Sequence, residues 1–161
     1  LALLLVVGLL RAGEGAGTGF GPLAMLSVFW IALYGRRWQL LVVLGDWNIM
    51  PADIDVWSPK AFEGSTHVTP AEREALQHVK DWGLVDTFRE RYGDVGGLYS
   101  YWDYRAGDFH QKRGMRIDYV LASRSLAAHS TSDLIDRNAR KGTKPSDHAP
   151  VLAQFDIEAR P

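Results

Sequence analysis

The sequence predicts a domain of the mixed α/β class, and three observations along the chain carry that prediction. An uninterrupted aliphatic run at residues 40–44 is typical of a buried strand. A capping signal at Thr69 opens an amphipathic helix, and apolar residues alternate with others near residues 116–122 and 151–155, as in strands. With 161 residues, 47% of them hydrophobic, the chain is long enough for one globular domain or part of a larger one.

The first predicted strand is closed by the sequence GDWNIMPADIDV at residues 45–56. Polar groups first reach solvent at the tip of such a strand, so we expect Asp46 and Asn48 to lie at a rim. One interpretation is a turn, because Asx side chains bond nearby backbone amides and Pro51 leads the chain away from the sheet. The other is that a carboxylate and an amide on alternate positions point the same way, toward a metal ion or a phosphate oxygen.

The predicted helix begins with a capping box, in which Thr69 and Glu72 flank Pro70 at the first helical position. Apolar residues recur at helical spacing until Gly83, which is expected to end the helix. These positions, which we expect to cover a sheet, are Ala75, Leu76, Val79 and Trp82. Three histidines lie in exposed helical or polar loop contexts and are given no role: His67, His78 and His110.

A strand-like stretch rich in aromatic residues follows at residues 99–104 and ends in Arg105. Aromatic strands usually belong to a core, which is the simplest interpretation of Trp102. Aromatic rings beside an arginine can also hold a deoxyribose or an unstacked nucleotide. Both interpretations stay open on the residues alone.

An acid within the next predicted strand, Asp118, needs a partner, because an unpaired buried carboxylate is costly. The candidate partner is His148, in a loop that Pro145 and Pro150 restrict on both sides. Taken singly, Asp147 and His148 also fit a local turn and a surface imidazole. Together, the acids, the amide and the histidine at strand ends predict metal-assisted phosphodiester hydrolysis by water.

Charge and cysteine content narrow the possible partners. The net charge of −1 gives no global bias toward nucleic acid, so phosphate binding would have to come from local basic clusters. Two such clusters, which also fit solvated loops, are Arg105, Lys112, Arg113 and Arg116, and Arg137, Arg140, Lys141 and Lys144. The absence of cysteine excludes disulfides, thiolate metal sites and cysteine nucleophiles.

Residues 1–38 differ in composition from the rest of the chain. Up to residue 34 only Arg11 and Glu14 are charged, and residues 15–35 form an uncharged stretch of the length that a membrane helix needs. Four glycines and Pro22 weaken that interpretation, and a cleaved signal or pro-segment is another. We favour an apolar, glycine-rich segment outside the native domain, which then occupies residues 39–161, and expect no membrane association.

Five motifs in order and spacing carry a family resemblance: GDWNIMPADIDV, WGLVDTFRERY, YSYWDYR, RGMRIDYVLAS and KPSDHAPV. Residues 39–157 thereby resemble the C-terminal half of the exonuclease III and abasic-site endonuclease family. This family belongs to the endonuclease/exonuclease/phosphatase superfamily. The resemblance implies half of a deoxyribonuclease I-like four-layer α/β sandwich, with a mixed or antiparallel sheet flanked by helices. It also implies a Mg²⁺ or Mn²⁺ cofactor, a cytoplasmic setting of bacterial type, and a double-stranded DNA partner cleaved at abasic sites or from 3′ ends.

The same resemblance implies a role for each matching residue. Asp46 would activate water or protonate the leaving oxygen, Asn48 would orient the phosphate, and Asp118 would fix the tautomer of His148. His148 would stabilise the transition state, and Asp147, with Asp46, would sit at the metal. The implied substrate-binding residues are Tyr101, Met115 and Ile117, which line the pocket for the flipped sugar, with their neighbours Trp102 and Arg105.

The chain departs from the family pattern upstream of Asp46. The family supplies an Asn, a metal-binding Glu, a Tyr and a Lys there, whereas this sequence has no Asn before Asn48 and no acid before Asp46 except Glu14. We therefore expect a fragment that is inactive alone. Two alternatives are a non-catalytic remnant that binds DNA or a partner, and a membrane-anchored phosphatase of the same superfamily, which the WDYR stretch disfavours.

Overall fold

The computed structural model describes residues 40–157, which form two antiparallel sheets with short helices around them. The larger sheet has the strand order β1-β3-β2, and the smaller one pairs β4 with β5. The strands are β1 Val42–Asp46, β2 Leu84–Asp86, β3 Asp118–Ser123, β4 Ser130–Ile135 and β5 Val151–Phe155. The predicted α/β class with an antiparallel sheet is confirmed.

Four α-helices and four 3₁₀ turns connect these strands within the described range. The helices are α1 Pro70–Lys80, α2 Thr87–Tyr92, α3 Asp108–Gln111 and α4 Arg124–Ala127. The 3₁₀ turns are Asp53–Asp55, Pro59–Phe62, Arg105–Gly107 and Arg137–Lys141. No helix among residues 40–157 is long and apolar enough to cross a membrane. The predicted segment 1–38 lies outside the described residues, and the boundary at residue 39 stays a prediction.

Helix α1 begins as predicted. The backbone N–H of Glu72 donates to Oγ1 of Thr69 at 3.3 Å, and the N–H of Thr69 donates to Oε2 of Glu72 at 2.9 Å, which completes the capping box. Leu76 is buried against Leu84 and the inner face of β3. The prediction was wrong for Ala75 and Trp82, which are exposed; Trp82 lies beyond the helix end, where the helical spacing no longer applies.

Strand β1 forms two residues later than the aliphatic run suggests and is only partly buried. It pairs with β3 on one side, and α1 packs against the face that carries Val43. Every residue of β1 therefore keeps some exposure, and the expectation of a strand covered on both faces was wrong for the described part of the chain. The polar end of β1 nevertheless lies at the rim, as predicted.

The aromatic stretch at residues 99–104 is not a strand. Tyr101 forms isolated bridges to Met115 and His148, and the chain then turns. The turn follows from a local bond, because the backbone N–H of Arg105 donates to Oδ1 of Asp103 at 2.8 Å. Tyr101 thus lies between Met115, just before β3, and the loop that carries His148, which we call the histidine loop.

The first basic cluster is divided, because Arg105 and Lys112 are exposed, whereas Arg116 is 1% exposed. Its Nε donates to Asp55 at 2.7 Å and its Nη1 to Asp86 at 2.7 Å, while Arg89 also pairs with Asp55. Burial opposes the charge, yet the two carboxylates raise the pKa of Arg116 above its usual range. Arg116 therefore stays protonated and joins the loop after β1 to β2 and β3.

The second basic cluster divides in a similar way. Arg140 is buried, and its guanidinium carbon lies 5.0 Å from the centre of the Phe109 ring, while that of Arg137 lies 4.4 Å from the same ring. These cation–π contacts use the two arginines for packing. Lys141 and Lys144 remain exposed.

Candidate active site

The ends of β1 and β3 bring two acids together. In the antiparallel register Asp46 is the direct partner of Asp118, so their side chains lie on the same face of the sheet. Asp46 is exposed and Asp118 is half-buried. The first turn after β1 and the first residue of β3 thus form one rim.

His148 completes this rim from the proline-bounded loop. Its Nδ1 lies 2.9 Å from Oδ2 and 3.1 Å from Oδ1 of Asp118, which confirms the predicted hydrogen-bonded pair. An ionised carboxylate can only accept, so Nδ1 carries the proton and Asp118 selects this tautomer. The other nitrogen, Nε2, lies 4.0 Å from Oδ2 of Asp46, which is exposed.

The charge state of His148 follows from these contacts. The hydrogen bond to Asp118 raises the pKa of His148 above its ordinary value of 6.5, against the opposing effect of burial. The negative charges of Asp118, Asp46 and Asp147 act in the same direction as the hydrogen bond. The imidazole is therefore easier to protonate than an ordinary histidine side chain.

Asn48 lies beside Asp46 in the turn that closes β1. Its backbone N–H donates to Oδ1 of Asp46 at 2.9 Å, and its own φ of 54° is left-handed, a conformation that Asn tolerates better than most residues. The turn interpretation of these two residues is thus confirmed, and the convergence of their side chains on a metal ion or a phosphate oxygen stays a prediction. The bond occupies one oxygen of Asp46, while Oδ2 faces His148.

His67 is a residue of this region that sequence analysis missed. Its Nδ1–H donates to the backbone carbonyl of Asn48 at 2.5 Å, and its φ is 77°. The contact joins residues 19 positions apart, and no spacing signal in the sequence relates them. His67 therefore braces the turn that presents Asn48.

Asp147 lies next to His148 but is held mainly by its backbone. Its carbonyl accepts a hydrogen bond from the N–H of Trp102 at 3.0 Å, and its carboxylate accepts from the Ser146 hydroxyl at 3.4 Å. Its charge is close enough to contribute to the raised pKa of His148. The structure thus places Asp147 beside the predicted site, behind the imidazole.

A group that could hold a metal ion is formed by Asp46, Asp118 and His148. One ligand atom from each of these residues lies within 4.8 Å of the others. Carboxylate oxygens suit hard cations and imidazole suits transition metals, so the donor set is compatible with a divalent ion. Among the predicted metal ligands, this group includes Asp46 and does not include Asp147.

A cavity of about 290 Å³ opens beside the rim. The Tyr101 ring, whose centre is 4.9 Å from that of the His148 ring, forms one wall. Met115 and Arg105 also line the cavity, as predicted, and Arg105 is paired with Asp103 at 2.5 Å. Arg113 of the first basic cluster also lines the cavity, and further lining residues that the sequence did not indicate are Trp57, Phe62 and His67.

Two predicted substrate-binding residues do not reach this cavity. Trp102 is 1% exposed and packs edge-on against Phe109, and Ile117 is 2% exposed in a cluster with Met50 and Val56. Both side chains are covered by other parts of the chain, which agrees with the core interpretation of Trp102, and contact of Ile117 with a substrate stays a prediction. They support the cavity from behind.

Comparison with known proteins agrees with this geometry. A family model described as the Endonuclease/Exonuclease/phosphatase family matches residues 14–148, and the chain belongs to this family. Exodeoxyribonuclease III of Haemophilus influenzae is 36% identical over 121 residues, covering 71% of this chain and 45% of the relative. The chain spans about half the length of the curated relatives it matches.

Solved structures share the fold. A 3′ phosphatase from Neisseria bound to a product DNA hairpin superimposes with a TM-score of 0.74 at 35% identity, covering 85% of this chain and 56% of that one. An AP endonuclease from Archaeoglobus fulgidus gives a TM-score of 0.68 at 28% identity, covering 84% of this chain and 54% of that one. The predicted deoxyribonuclease I-like fold is confirmed by these neighbours.

Proposed function

We propose that this chain carries the phosphate-facing half of a metal-dependent DNA phosphodiesterase that acts in repair, at abasic sites or 3′ ends of duplex DNA. The observation that carries the proposal is the rim of Asp46, Asp118 and His148 beside an aromatic cavity. The names of the similar proteins, which include an exodeoxyribonuclease and an AP endonuclease, support the substrate class. The bacterial relatives support a cytoplasmic setting.

The chemistry begins with the His148 imidazole. Because Asp118 accepts from Nδ1, the Nε2–H of the protonated ring lies on the side of the exposed Asp46 and can donate to a non-bridging phosphate oxygen. Negative charge grows on that oxygen as water attacks the phosphorus. A fixed cationic donor at that position lowers the free energy of the transition state more than that of bound substrate.

Asp46 and Asn48 act together with His148 in the proposed reaction. Asp46 is the acid or base in our proposal, because it is exposed at the rim and its carboxylate can exchange a proton with the attacking water or the leaving oxygen. The Asn48 amide can donate to a phosphate oxygen and orient it. The attack therefore has a proton acceptor, an orienting donor and a charge-stabilising donor from this chain.

Mg²⁺ or Mn²⁺ is the cofactor that we propose. Asp46 would be a ligand, with Asp118 and His148 close by and Asp147 behind them. Oxygen donors at the exposed end of two strands fit a hard cation that keeps part of its water shell. When bound, such an ion supplies positive charge that polarises the phosphate.

The cavity gives a reason for a sugar–phosphate substrate. Tyr101 and Met115 present apolar surface next to His148, and Arg113 stacks over Trp57 with its guanidinium carbon 5.6 Å from the ring centre. A deoxyribose turned out of the helix could pack on such surface while its phosphate stays at the rim. Arg105, which lines the cavity in a pair with Asp103, could donate a hydrogen bond to a phosphate of the DNA backbone.

The test joins residues 39–161 to the N-terminal half of the Haemophilus influenzae relative and measures cleavage of a duplex that holds one abasic site or a recessed 3′ end. We expect Mg²⁺-dependent cleavage that is lost in Asp46→Asn. The control is Asp94→Asn, since Asp94 is an exposed acid with a 4.0 Å contact to Arg89 and lies outside the site. DNA retention without turnover would instead support the non-catalytic alternative.

A further inference from the structure

Ser100 is fully buried between the histidine loop and the beginning of β3, and the proposed mechanism does not use it. Its hydroxyl oxygen accepts two backbone hydrogen bonds, from the N–H of Ile117 and from the N–H of Asp118, both at 3.1 Å. Backbone amides at a buried position are costly if they are left without an acceptor. The hydroxyl therefore fixes the backbone that carries the Asp118 carboxylate.

The backbone of Ser100 reaches the other member of the pair. Its carbonyl accepts from the N–H of Ala149 at 2.7 Å, the residue directly after His148. Its own N–H donates to the carbonyl of Met115 at 2.9 Å. A single residue thus touches the chain next to both partners of the hydrogen-bonded pair.

We infer that Ser100 is a positioning residue, which sets the distance and angle between Asp118 and His148 through its hydroxyl. Catalytic geometry tolerates little displacement, and an acid–imidazole pair depends on the alignment of one hydrogen bond. Without the hydroxyl, the N–H of Asp118 loses its hydrogen bond to Ser100. The histidine loop keeps its bond, because the N–H of Ala149 donates to the Ser100 carbonyl. The inference rests on the proposed function for its catalytic consequence, but the geometry of the pair can be tested without catalysis.

A matched control separates positioning from ordinary stability. Thr87 is also buried, and its hydroxyl bonds the backbone of the same strand at the carbonyl of Val120, 3.2 Å away. Thr87→Val removes a buried hydroxyl bond on β3 that is not attached to Asp118. It should lower the free energy of unfolding about as much as Ser100→Ala does, without changing the pair.

The first measurement is proton NMR of the 161-residue chain. The Nδ1–H of His148 bound to Asp118 should give a downfield imidazole resonance, assigned by its absence in His148→Asn. We expect Ser100→Ala to shift or broaden this resonance, as Asp118→Asn does, and Thr87→Val to leave it in place. Ser100→Cys, which keeps the volume but accepts hydrogen bonds weakly, should act like Ser100→Ala and serves if the alanine variant does not fold. An unchanged resonance in a folded Ser100 variant overturns the inference.

The second measurement uses the joined enzyme described above. Ser100→Ala should lower kcat by roughly 10- to 100-fold with KM nearly unchanged, since positioning acts on the transition state. Ser100→Thr, which restores a hydroxyl, should recover most of that loss. Equal loss in Thr87→Val, or no loss in Ser100→Ala, overturns the inference. If the parent enzyme does not cleave DNA at all, the proposed function fails, and the NMR result alone decides the role of Ser100.

Discussion

Two clusters of charged residues meet at the beginning of β3, and they are built in opposite ways. Arg116 points into the protein and is bonded by Asp55 and Asp86, with Arg89 adding a second cation. Two positions later, Asp118 bonds His148 at the rim, where Asp46 lies 4.0 Å from the second imidazole nitrogen. One cluster is sealed, and the other opens to solvent.

The difference between the two clusters shows which of them can gain or lose a proton. Within the buried cluster every cation contacts a carboxylate, so adding or removing a proton would leave an uncompensated charge in a dry environment. The rim cluster contains an imidazole whose pKa is raised above its ordinary value and whose Nε2 lies 4.0 Å from the exposed Asp46. Reactive chemistry is therefore expected at the rim, and structural stability from the interior.

Removing the buried cation should have the largest effect on stability. We expect Arg116→Ala to lower the free energy of unfolding by about 3–5 kcal/mol, because it leaves Asp55 and Asp86 without their shared partner. Arg124→Ala, at an exposed position on α4, is the control and should change little. Urea unfolding of both variants measures the difference, and similar midpoints would contradict the structural role of Arg116.

Removing the His148 imidazole should have a large effect on activity and a small effect on stability. His148→Asn in the joined enzyme should lower kcat by about 10²- to 10⁴-fold, because the donor to the phosphate is lost, while the unfolding free energy changes by only about 1 kcal/mol. His78→Asn, an exposed histidine on α1, should leave both quantities unchanged. Steady-state kinetics and urea unfolding are measured on the same preparations. Normal turnover in His148→Asn would remove the histidine from the mechanism.

The smallest expected effect is a dependence of stability on pH that comes from His148 at the rim. The folded pKa of His148 is raised above 6.5, so its contribution to stability is complete below that pH and is lost as pH rises through the folded pKa. With EDTA present, the stability of the parent chain relative to His148→Asn should be greater near pH ~5.5 than near pH ~8.5, by about 1 kcal/mol or less. A difference of the opposite sign would contradict the Asp118–His148 bond in solution.

General rules about buried acids, prolines and turns predicted much of the site formed by Asp46, Asp118 and His148. The pairing of Asp118 with His148 followed from the cost of a lone acid in a strand and from a loop with proline on both sides. The Thr69 capping box and the turn at Asp46 were likewise readable, because their partners lie within three residues. The motif resemblance supplied the fold of the neighbours, which composition alone could not.

The parts that were missed depend on distant contacts. Arg116 looked like a phosphate ligand because its partners, Asp55 and Asp86, are 61 and 30 positions away. The contacts of His67 and Ser100 join loops that are far apart in the sequence, and no periodicity of the sequence indicates them. Aromatic and basic residues near a motif are therefore weak indicators of substrate contact until their burial is known.

The register of β1 against β3 places two carboxylates directly opposite each other, at Asp46 and Asp118. Like charges in that position weaken strand pairing by an amount on the order of 0.2–1 kcal/mol. A cation bound between them relieves the repulsion only in the folded chain, so part of its binding free energy becomes folding free energy. The ion would then hold the two strands together as well as serve the reaction. Neutral residues at these two positions would make the sheet more stable in cation-free solution. The loss of stability occurs at the two acids that the proposed chemistry requires.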